Sequence, residues 1–329
     1  MHKTFLKLFI FIVGLNAASL ALGLNLQQEP AVQKYIAFLH NTYHFDQQTL
    51  ENWFKQVQFN QQVLNKINQP PGEVIPWYQY HDLFITPKRI QRGVAFWHEN
   101  AQALKAASHK YGVPPEIMAG IIGVETSYGE NKGQFSEMDA LATLAFKYPR
   151  RSQFFMSELT NFLLLSREQN WDPFSIKASY AGALGLPQFM PSSYRLYGVN
   201  ADNQHGADLI NDPKDAIYSI ANYMKGKGWQ SGIPVAVRAQ VTGATLPQIQ
   251  ANGKLYYTVK ELAKYGIKPS QHVPGNLRAG VLYMEGKQGT EVWMTFANFQ
   301  VIRKYNLSNR YALVVDELGT TVKQKAKHG

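Results

Sequence analysis

A chain of 329 residues holds enough material for one large core or two to three small ones, and its 45% apolar, 17% charged composition is that of a globular protein. The net charge of +10, about +8 once Lys3 and Lys7 at the amino-terminal end are set aside, suits an acidic partner; the charge is dispersed apart from Lys323, Lys325 and Lys327, and no nucleic-acid-binding motif occurs. The absence of cysteine excludes disulfides, thiolate metal sites, a cysteine nucleophile and a lipid anchor on an amino-terminal cysteine.

Residues 1–23 have the pattern of a secretory signal: a basic start (His2, Lys3, Lys7), an apolar run from Leu8 to Val13, and small residues at Ala18, Ser19, Ala21 and Gly23. The segment is marginally long enough to serve instead as an uncleaved anchor. Cleavage is the favoured reading. Pro30 to about Gln69 is helical in pattern, with Ala31, Val32, Tyr35, Ile36 and Leu39 on one stripe, Asp46 as candidate N-cap of a second helix, and Pro70-Pro71-Gly72 as a breaker. Trp77, Tyr78, Tyr80, His81 and Phe84 form an aromatic cluster that could be a sugar platform or core; packing is the simpler role. Residues 88–111 read as one amphipathic helix through Ile90, Val94, Ala95, Trp97 and Leu104.

The stretch Val113–Gly129 carries the first chemical signal. Pro114 and Pro115 suit the first turn of a helix, Glu116 the positive end of its dipole, and Gly129 a left-handed cap. Ile117, Met118, Ile121 and Ile122 share an apolar stripe whose next place is Glu125. A carboxylate on the core side of a helix is costly to ionise and is expected to stay partly protonated near neutral pH, as a general acid requires. A structural carboxylate paired with an arginine, or a side chain emerging into water at the helix end, would fit the stripe as well.

A polar loop follows to Glu137, then a helix over Asp139–Tyr148, then Pro149 and a long helix through about Arg167 opened by Arg150 and Arg151. The arginine pair suits either a ligand carboxylate or a solvated helix start. The second chemical stretch is Lys177–Tyr194. Its small residues allow close backbone approach, Ser179 and Gln188 add neutral hydrogen-bonding groups, and Phe189 and Met190 fit either a cleft wall or the core. Residues 200–212 space oxygen donors (Asn200, Asp202, Gln204, Asp208) roughly like a calcium loop, but the glycine is displaced and the closing glutamate is missing, so a plain loop before a helix at Pro213 is favoured. That helix turns Ala216, Ile217, Ile220, Ala221 and Met224 inward, with Tyr223 near its end. From Pro234 to about Trp293, runs at 235–237, 254–259, 280–284 and 290–294 read as strands of a small sheet, with a short helix at 262–265. Helices over 296–305 and 311–318 follow, and the basic tail after Gly319 is expected to be loose.

Gly123-Val124-Glu125-Thr126-Ser127-Tyr128-Gly129, the Ser179–Tyr194 segment, Ala221-Asn222-Tyr223, Tyr148-Pro149-Arg150-Arg151 and Arg303-Lys304-Tyr305-Asn306 through Tyr311-Ala312 together resemble the membrane-bound lytic transglycosylase B family, glycoside hydrolase family 103. The resemblance covers most of the chain after residue 90 and is looser before it. It implies a mainly α (α+β) fold: a lysozyme-like helical core (93–232), an additional amino-terminal helical domain (24–92), a small antiparallel β domain (233–293), carboxy-terminal helices returning to the core (294–319) and a basic tail (320–329). It also implies cleavage of peptidoglycan glycan strands between N-acetylmuramic acid and N-acetylglucosamine without water, giving 1,6-anhydro ends. Glu125 matches the single catalytic acid/base; Ser179, Gln188, Tyr223, Asn306 and Tyr311 match positions that line its cleft, with Phe189 and Met190 as further substrate-binding candidates; Arg150 and Arg151 match positions near the muramyl peptide. No cofactor is implied, and the degraded calcium loop leaves no firm metal site. A monomeric periplasmic enzyme is expected, membrane-associated if the first segment is retained, with cell-wall synthesis or division proteins as candidate partners. Ordinary glycosidases flank the bond with two carboxylates. The nearby acids Glu130, Glu137 and Asp139 read as solvated loop or cap residues, so the sugar's own groups must do the second carboxylate's work. A hydrolytic muramidase and a non-catalytic wall-binding protein are the competing readings.

Overall fold

The computed structural model describes residues 22–23, 29–69, 75–202, 206–243 and 245–328. All of the signal-like segment except Leu22 and Gly23, the Pro70–Gly72 breaker and Gln204 lie outside the described residues. In chain order the elements are β1 (Leu22–Gly23), α1 (Pro30–Tyr43), α2 (Gln47–Gln56), β2 (Gln58–Phe59), α3 (Gln61–Asn68), α4 (Trp77–Phe84), α5 (Pro87–Glu99), α6 (Ala101–Tyr111), α7 (Pro115–Thr126), β3 (Phe135–Ser136), α8 (Glu137–Lys147), a 3-10 turn (Pro149–Arg151), α9 (Ser152–Gln169), β4 (Lys177–Ala178), α10 (Pro191–Tyr197), α11 (Pro213–Gly226), β5 (Ala236–Val241), β6 (Tyr257–Thr258), α12 (Val259–Lys264), β7 (Ile267–Pro269), β8 (Arg278–Gly286), β9 (Gly289–Thr295), α13 (Ala297–Tyr305) and α14 (Asn309–His328). The fold is mainly helical with a small antiparallel sheet, as expected. No helix among the described residues is long and apolar enough to cross a membrane.

These residues divide into two compact units. The described part of one lies in Ile10–Pro70 and Gly129–Ala216. There Asp46 caps α2 by accepting the Thr49 N–H at 2.7 Å. Leu39, Leu50 and Phe54 are fully buried, and Tyr35 meets Phe54 and Phe146 edge-on. α8 packs along α9, and β1–β2 and β3–β4 are two-residue ladders.

The described part of the other unit lies in Pro71–Tyr128 and Ile217–Gly329. Its helical half is built on the crossing of α7 and α14. A Cβ on Gly120 would sit 2.2 Å from the Val315 carbonyl oxygen, and one on Gly319 would sit 1.9 Å from that of Glu116. Each helix thus presents a glycine to the other's backbone, an approach that any side chain would prevent. Its other half is a five-stranded antiparallel sheet of order β6-β8-β9-β5-β7. Val237, Leu262, Ile267, Val281, Met294 and Phe296 form its core.

Three expectations about elements are corrected. The helix of 88–111 is two helices, because Asn100 leaves helical geometry and turns its side-chain amide back onto the Phe96 carbonyl at 2.9 Å. The strand of 254–259 shrinks to Tyr257–Thr258. Thr258 and Glu261 form a capping box, and Val259 starts α12. The basic tail is not loose. α14 continues to His328 because Leu318 and Val322 are fully buried one turn apart and Lys323 pairs with Glu116 at 2.8 Å.

Candidate active site

α7 starts where the prolines place it, with Pro114 as N-cap and Pro115 in the first turn. Every residue from Ile117 to Val124 is buried, so this helix has no separate apolar stripe; it is dry on all sides. Glu125 is not the continuation of a buried face but a partly exposed position that follows the enclosed run Ile117–Val124. Its Oε1 accepts a hydrogen bond from Tyr311 Oη at 2.6 Å. The Tyr311 ring stacks on Tyr305 with centroids 6.3 Å apart and planes at 13°. Tyr305 meets Tyr223 at 5.0 Å, and Tyr223 Oη donates to the Lys304 carbonyl at 2.9 Å. Burial first, and then the nearby Glu125 carboxylate, hold the phenols of Tyr311 and Tyr305 well above their ordinary range. Burial and Glu125 also raise Tyr80, against the pull of Arg310. Tyr311 therefore stays a neutral donor at any working pH. Asn306 follows as the C-cap of α13, and its side-chain oxygen accepts the Ser308 N–H.

The end of α7 departs from expectation. The helix stops at Ser127, not Gly129, and three consecutive residues are left-handed: Ser127 at φ 52°, Tyr128 at 62° and Gly129 at 92°. Two non-glycine residues in that region carry strain that the surroundings must hold. Arg92 Nη1 donates to Ser127 Oγ at 3.2 Å. The Tyr128 ring lies beside Phe96 in a slot floored by Gly93 and Gly123, where an added Cβ on either would sit 2.5 Å from its hydroxyl oxygen. The side chain of Tyr128 thus locks the turn that follows Glu125 by two residues.

The remaining candidates lie in the other unit. Ser179 is buried, and its hydroxyl accepts the N–H groups of Ala181 and Ala183 at 3.3 and 3.0 Å. Gln188, itself left-handed at φ 50°, donates its amide to the carbonyls of Gly185 and Lys132 at 2.9 and 3.2 Å. These polar groups brace the 179–190 loop. Phe189 is a core residue, 2% exposed, and Met190 is partly exposed as it leads into α10. Arg150 is exposed on the 3-10 turn, and the Arg151 guanidinium lies 4.1 Å over the Phe154 ring. The structure therefore joins Glu125, Tyr223 and Tyr311 through Tyr305, with Asn306 next in sequence. Separately, it joins Ser179, Gln188, Phe189 and Met190 on one loop.

Of the three neighbouring acids, Glu130 is exposed and Asp139 accepts the Gln58 N–H at 2.8 Å. Glu137 is the correction. It is fully buried rather than solvated, and neither carboxyl oxygen has a hydrogen-bond partner. Its position at the start of α8 invited a cap reading, but the capping is done by Ser136, and Glu137 turns inward beside Leu141 and Gly182. Burial, with Glu158 nearby, pushes its carboxyl well above the usual carboxylate range. A side chain with no exposed surface cannot meet a sugar.

Among the described residues, oxygens of the candidate calcium loop are engaged by protein donors. Asp208 Oδ1 accepts the N–H groups of Ile210 and Asn211, Asn200 Oδ1 accepts that of Asp202, and Asp202 Oδ2 faces Lys214 Nζ at 3.7 Å. A lysine beside a ligand oxygen and missing acidic donors do not fit a calcium site.

The sequence patterns do not single out Tyr305 or the wedge made by Tyr128, and they mark Tyr80 only as one member of the 77–84 aromatic cluster. Tyr305 and Tyr128 were inside the quoted motifs, and the signal available was an aromatic share of 13% with 18 tyrosines.

Comparison with known proteins sets this geometry in context. A profile described as "Transglycosylase SLT domain" matches residues 27–320. The chain is 40% identical over 311 residues to the membrane-bound lytic murein transglycosylase B of Escherichia coli (strain K12), spanning 92% of this chain and 85% of that protein. It is similar to the structure of the Escherichia coli lytic transglycosylase Slt35 in complex with calcium, with a TM-score of 0.85, 40% identity, and coverage of 93% of this chain and 97% of that one. It is also similar to Pseudomonas aeruginosa SltB3 in complex with NAG-anhNAM-pentapeptide, with a TM-score of 0.81, 27% identity, and coverage of 90% and 79%.

Proposed function

The chain belongs to the transglycosylase SLT-domain family and is a peptidoglycan lytic transglycosylase, and on that premise we propose that Glu125 is its single acid and base. The observation that carries the assignment is the 2.6 Å hydrogen bond from the buried phenol of Tyr311 to Glu125 Oε1. It fixes one carboxyl oxygen against an enclosed tyrosine cluster, while the side chain as a whole keeps an exposed face toward a ligand.

In the first step, protonated Glu125 gives its proton to the glycosidic oxygen as the bond from C1 of N-acetylmuramic acid breaks. The 2-acetamido group of the same sugar stabilises the positive charge at C1, the work that a second carboxylate performs in ordinary glycosidases. In the second step, the Glu125 carboxylate takes the proton of the C6 hydroxyl, whose oxygen closes on C1 to give the 1,6-anhydro ring. Tyr311 supports the ionised intermediate state, because a neutral phenol donating to a carboxylate is a charge-assisted bond. Ser179, Gln188, Phe189, Met190, Tyr223 and Asn306 are assigned to sugar binding, and Arg150 and Arg151 suit the carboxylates of a muramyl peptide. Sugar and peptide binding by SltB3, seen with NAG-anhNAM-pentapeptide, supports this ligand class. The signal-like pattern of residues 1–23 supports a periplasmic location.

Digestion of purified sacculi followed by mass spectrometry tests the proposal. Wild type should release anhydro-ended muropeptides, lighter by one water than hydrolytic products, and Glu125→Gln should release none while still binding sacculi. Reducing ends from the wild type, or normal turnover by Glu125→Gln, would overturn it.

A further inference from the structure

The sheet half of the unit that contains Glu125 holds none of the residues assigned to catalysis or sugar binding, yet it displays aromatic surface. Tyr256 and Tyr265 are 41% and 49% exposed. Tyr257 lies between them, its ring centroid 6.3 Å from that of Tyr256 and 6.0 Å from that of Tyr265, with interplanar angles of 74° and 67°. The three rings therefore form one contiguous cluster.

Its supports are fixed by the fold. Tyr257 belongs to β6, an edge strand of the five-stranded sheet, packs against the core of that sheet, and accepts the Gln250 N–H on its phenol oxygen at 3.2 Å. Tyr265 is the C-cap of α12, its N–H bonded to the Leu262 carbonyl at 3.0 Å. Arg278 Nη2 donates to the Leu255 carbonyl at 2.6 Å, which pins the residue before Tyr256 and places a cation beside it. Rings carried on held backbone lose little freedom on meeting a ligand.

Charge is the second observation. Residues 71–128 and 217–329 carry 20 Lys and Arg against 10 Asp and Glu, whereas residues 10–70 and 129–216 carry 11 against 13. Beyond residue 9, the whole positive excess thus belongs to the unit with the tyrosines. Around the cluster, from Gln250 to Gly280, Lys254, Lys260, Lys264, Lys268 and Arg278 are offset by one acid, Glu261, and all six are exposed. The Glu261 carboxylate is engaged by the N–H and hydroxyl of Thr258 at 2.7 and 2.9 Å. Those bonds hold its carboxyl below the usual range, and Arg278 and Lys264 are close enough to add to the effect.

This combination selects a ligand. A glycan strand with its muramyl peptides brings both complements: sugar rings offer C–H faces to the tyrosines, hydroxyl and acetamido groups meet the phenol edges, and peptide carboxylates meet the cations. An anionic lipid surface would engage the cations and leave the rings without a matched partner. A second copy of the chain would set like charge against like. We propose that the tyrosine cluster is a second peptidoglycan-binding site, which takes the sugars of a strand on Tyr256 and Tyr265 and the carboxylates of its peptides on the surrounding cations. The site rests on the chain being a peptidoglycan-cleaving enzyme and stands whether or not Glu125 is the acid and base.

Co-sedimentation of the full chain with purified sacculi at low temperature is the test. Wild type should bind saturably, and Tyr256→Ala/Tyr265→Ala should bind about tenfold more weakly. That variant should keep the wild-type thermal midpoint and turn over a soluble tetrasaccharide at the wild-type rate. Tyr256→Phe/Tyr265→Phe, which keeps the rings, should bind within about twofold of wild type. Lys254→Gln/Lys260→Gln/Lys264→Gln should weaken binding to intact sacculi, most at low salt, and should leave binding to glycan strands stripped of peptide unchanged. Absence of saturable wild-type binding, or wild-type affinity in the alanine variant, overturns the proposal. So does a parallel loss of tetrasaccharide turnover, which would tie the rings to the cleft. Two further results also overturn it when the alanine variant still binds sacculi normally: loss of binding to phosphatidylglycerol vesicles assigns the face to a lipid surface, and loss of a wild-type dimer in sedimentation assigns it to a second copy. Product release by Glu125→Gln would remove the acid assignment and leave each of these binding results as it is.

Discussion

Each unit keeps a glutamate at one end of a helix, and the two are treated in opposite ways. Glu125, in the last turn of α7, is partly exposed and takes a 2.6 Å hydrogen bond from a neutral phenol. Glu137, the first residue of α8, has no exposed surface and no hydrogen-bond partner for either oxygen. The contrast separates two meanings of a buried acid. One carboxyl has a donor that tolerates its charge and a wet face through which a proton can leave. The other has its carboxyl pushed well above the usual carboxylate range by burial and has no exposed surface. Burial alone marks neither chemistry nor its absence; access to a ligand and a supporting donor do.

The largest effect expected from this contrast is on Glu125→Gln, which should lower anhydromuropeptide release by about 10³-fold or more with an unchanged thermal midpoint. The same change in activity from a substitution at Glu137 would erase the distinction. Next comes Tyr311→Phe. Losing a hydrogen bond to an ionised group costs about 1.5–3 kcal/mol, so the rate should fall by roughly tenfold to a hundredfold with a shifted pH–rate profile. An unaltered profile would show that the phenol does not act on the carboxyl.

Glu137→Leu should do the reverse: leave activity intact and raise stability by about 1–3 kcal/mol, because an unbonded buried polar group is removed. Its pH dependence sharpens the point. The folded-state value of Glu137 is raised above the unfolded one, so the folded protein binds the proton more tightly. Stability from this group is complete below the unfolded value and is lost as pH climbs toward the folded one, by about 1.4 kcal/mol per unit. Chemical denaturation of wild type across mildly acidic to neutral pH should show that decline, and Glu137→Leu should lack it; parallel curves would refute the claim. The smallest effect belongs to Tyr128→Phe. The buried hydroxyl has no partner, so the rate should be unchanged and stability should rise by up to about 1 kcal/mol, whereas Tyr128→Ala should lower the rate by emptying the slot between Gly93 and Gly123.

How far the sequence could be read follows from which interactions are local. Pro114-Pro115, the run of isoleucines and Asp46 each act within one or two turns, and α7 and α2 begin where these residues predict. The orientation of Glu137 was not readable, because a first-turn acid looks the same whether it faces solvent or α9. The Thr258–Glu261 box was local but was masked by the β-forming run Tyr256–Val259. The Tyr311–Glu125 bond spans 186 positions, and no pattern within either helix announces it. The tyrosine cluster became visible only when α13 and α14 brought Tyr305 and Tyr311 to stacking distance.

That long span has a consequence for the order in which the enzyme matures. Glu125 leaves the ribosome well before the helix that grips it, and α14 supplies both Tyr311 and the glycine on which α7 rests. A nascent chain interrupted before Asn309 would display the acid with neither brace, and should be inert toward sacculi. A peptidoglycan-cleaving enzyme built this way would gain the support for its acid only once α14 has been made.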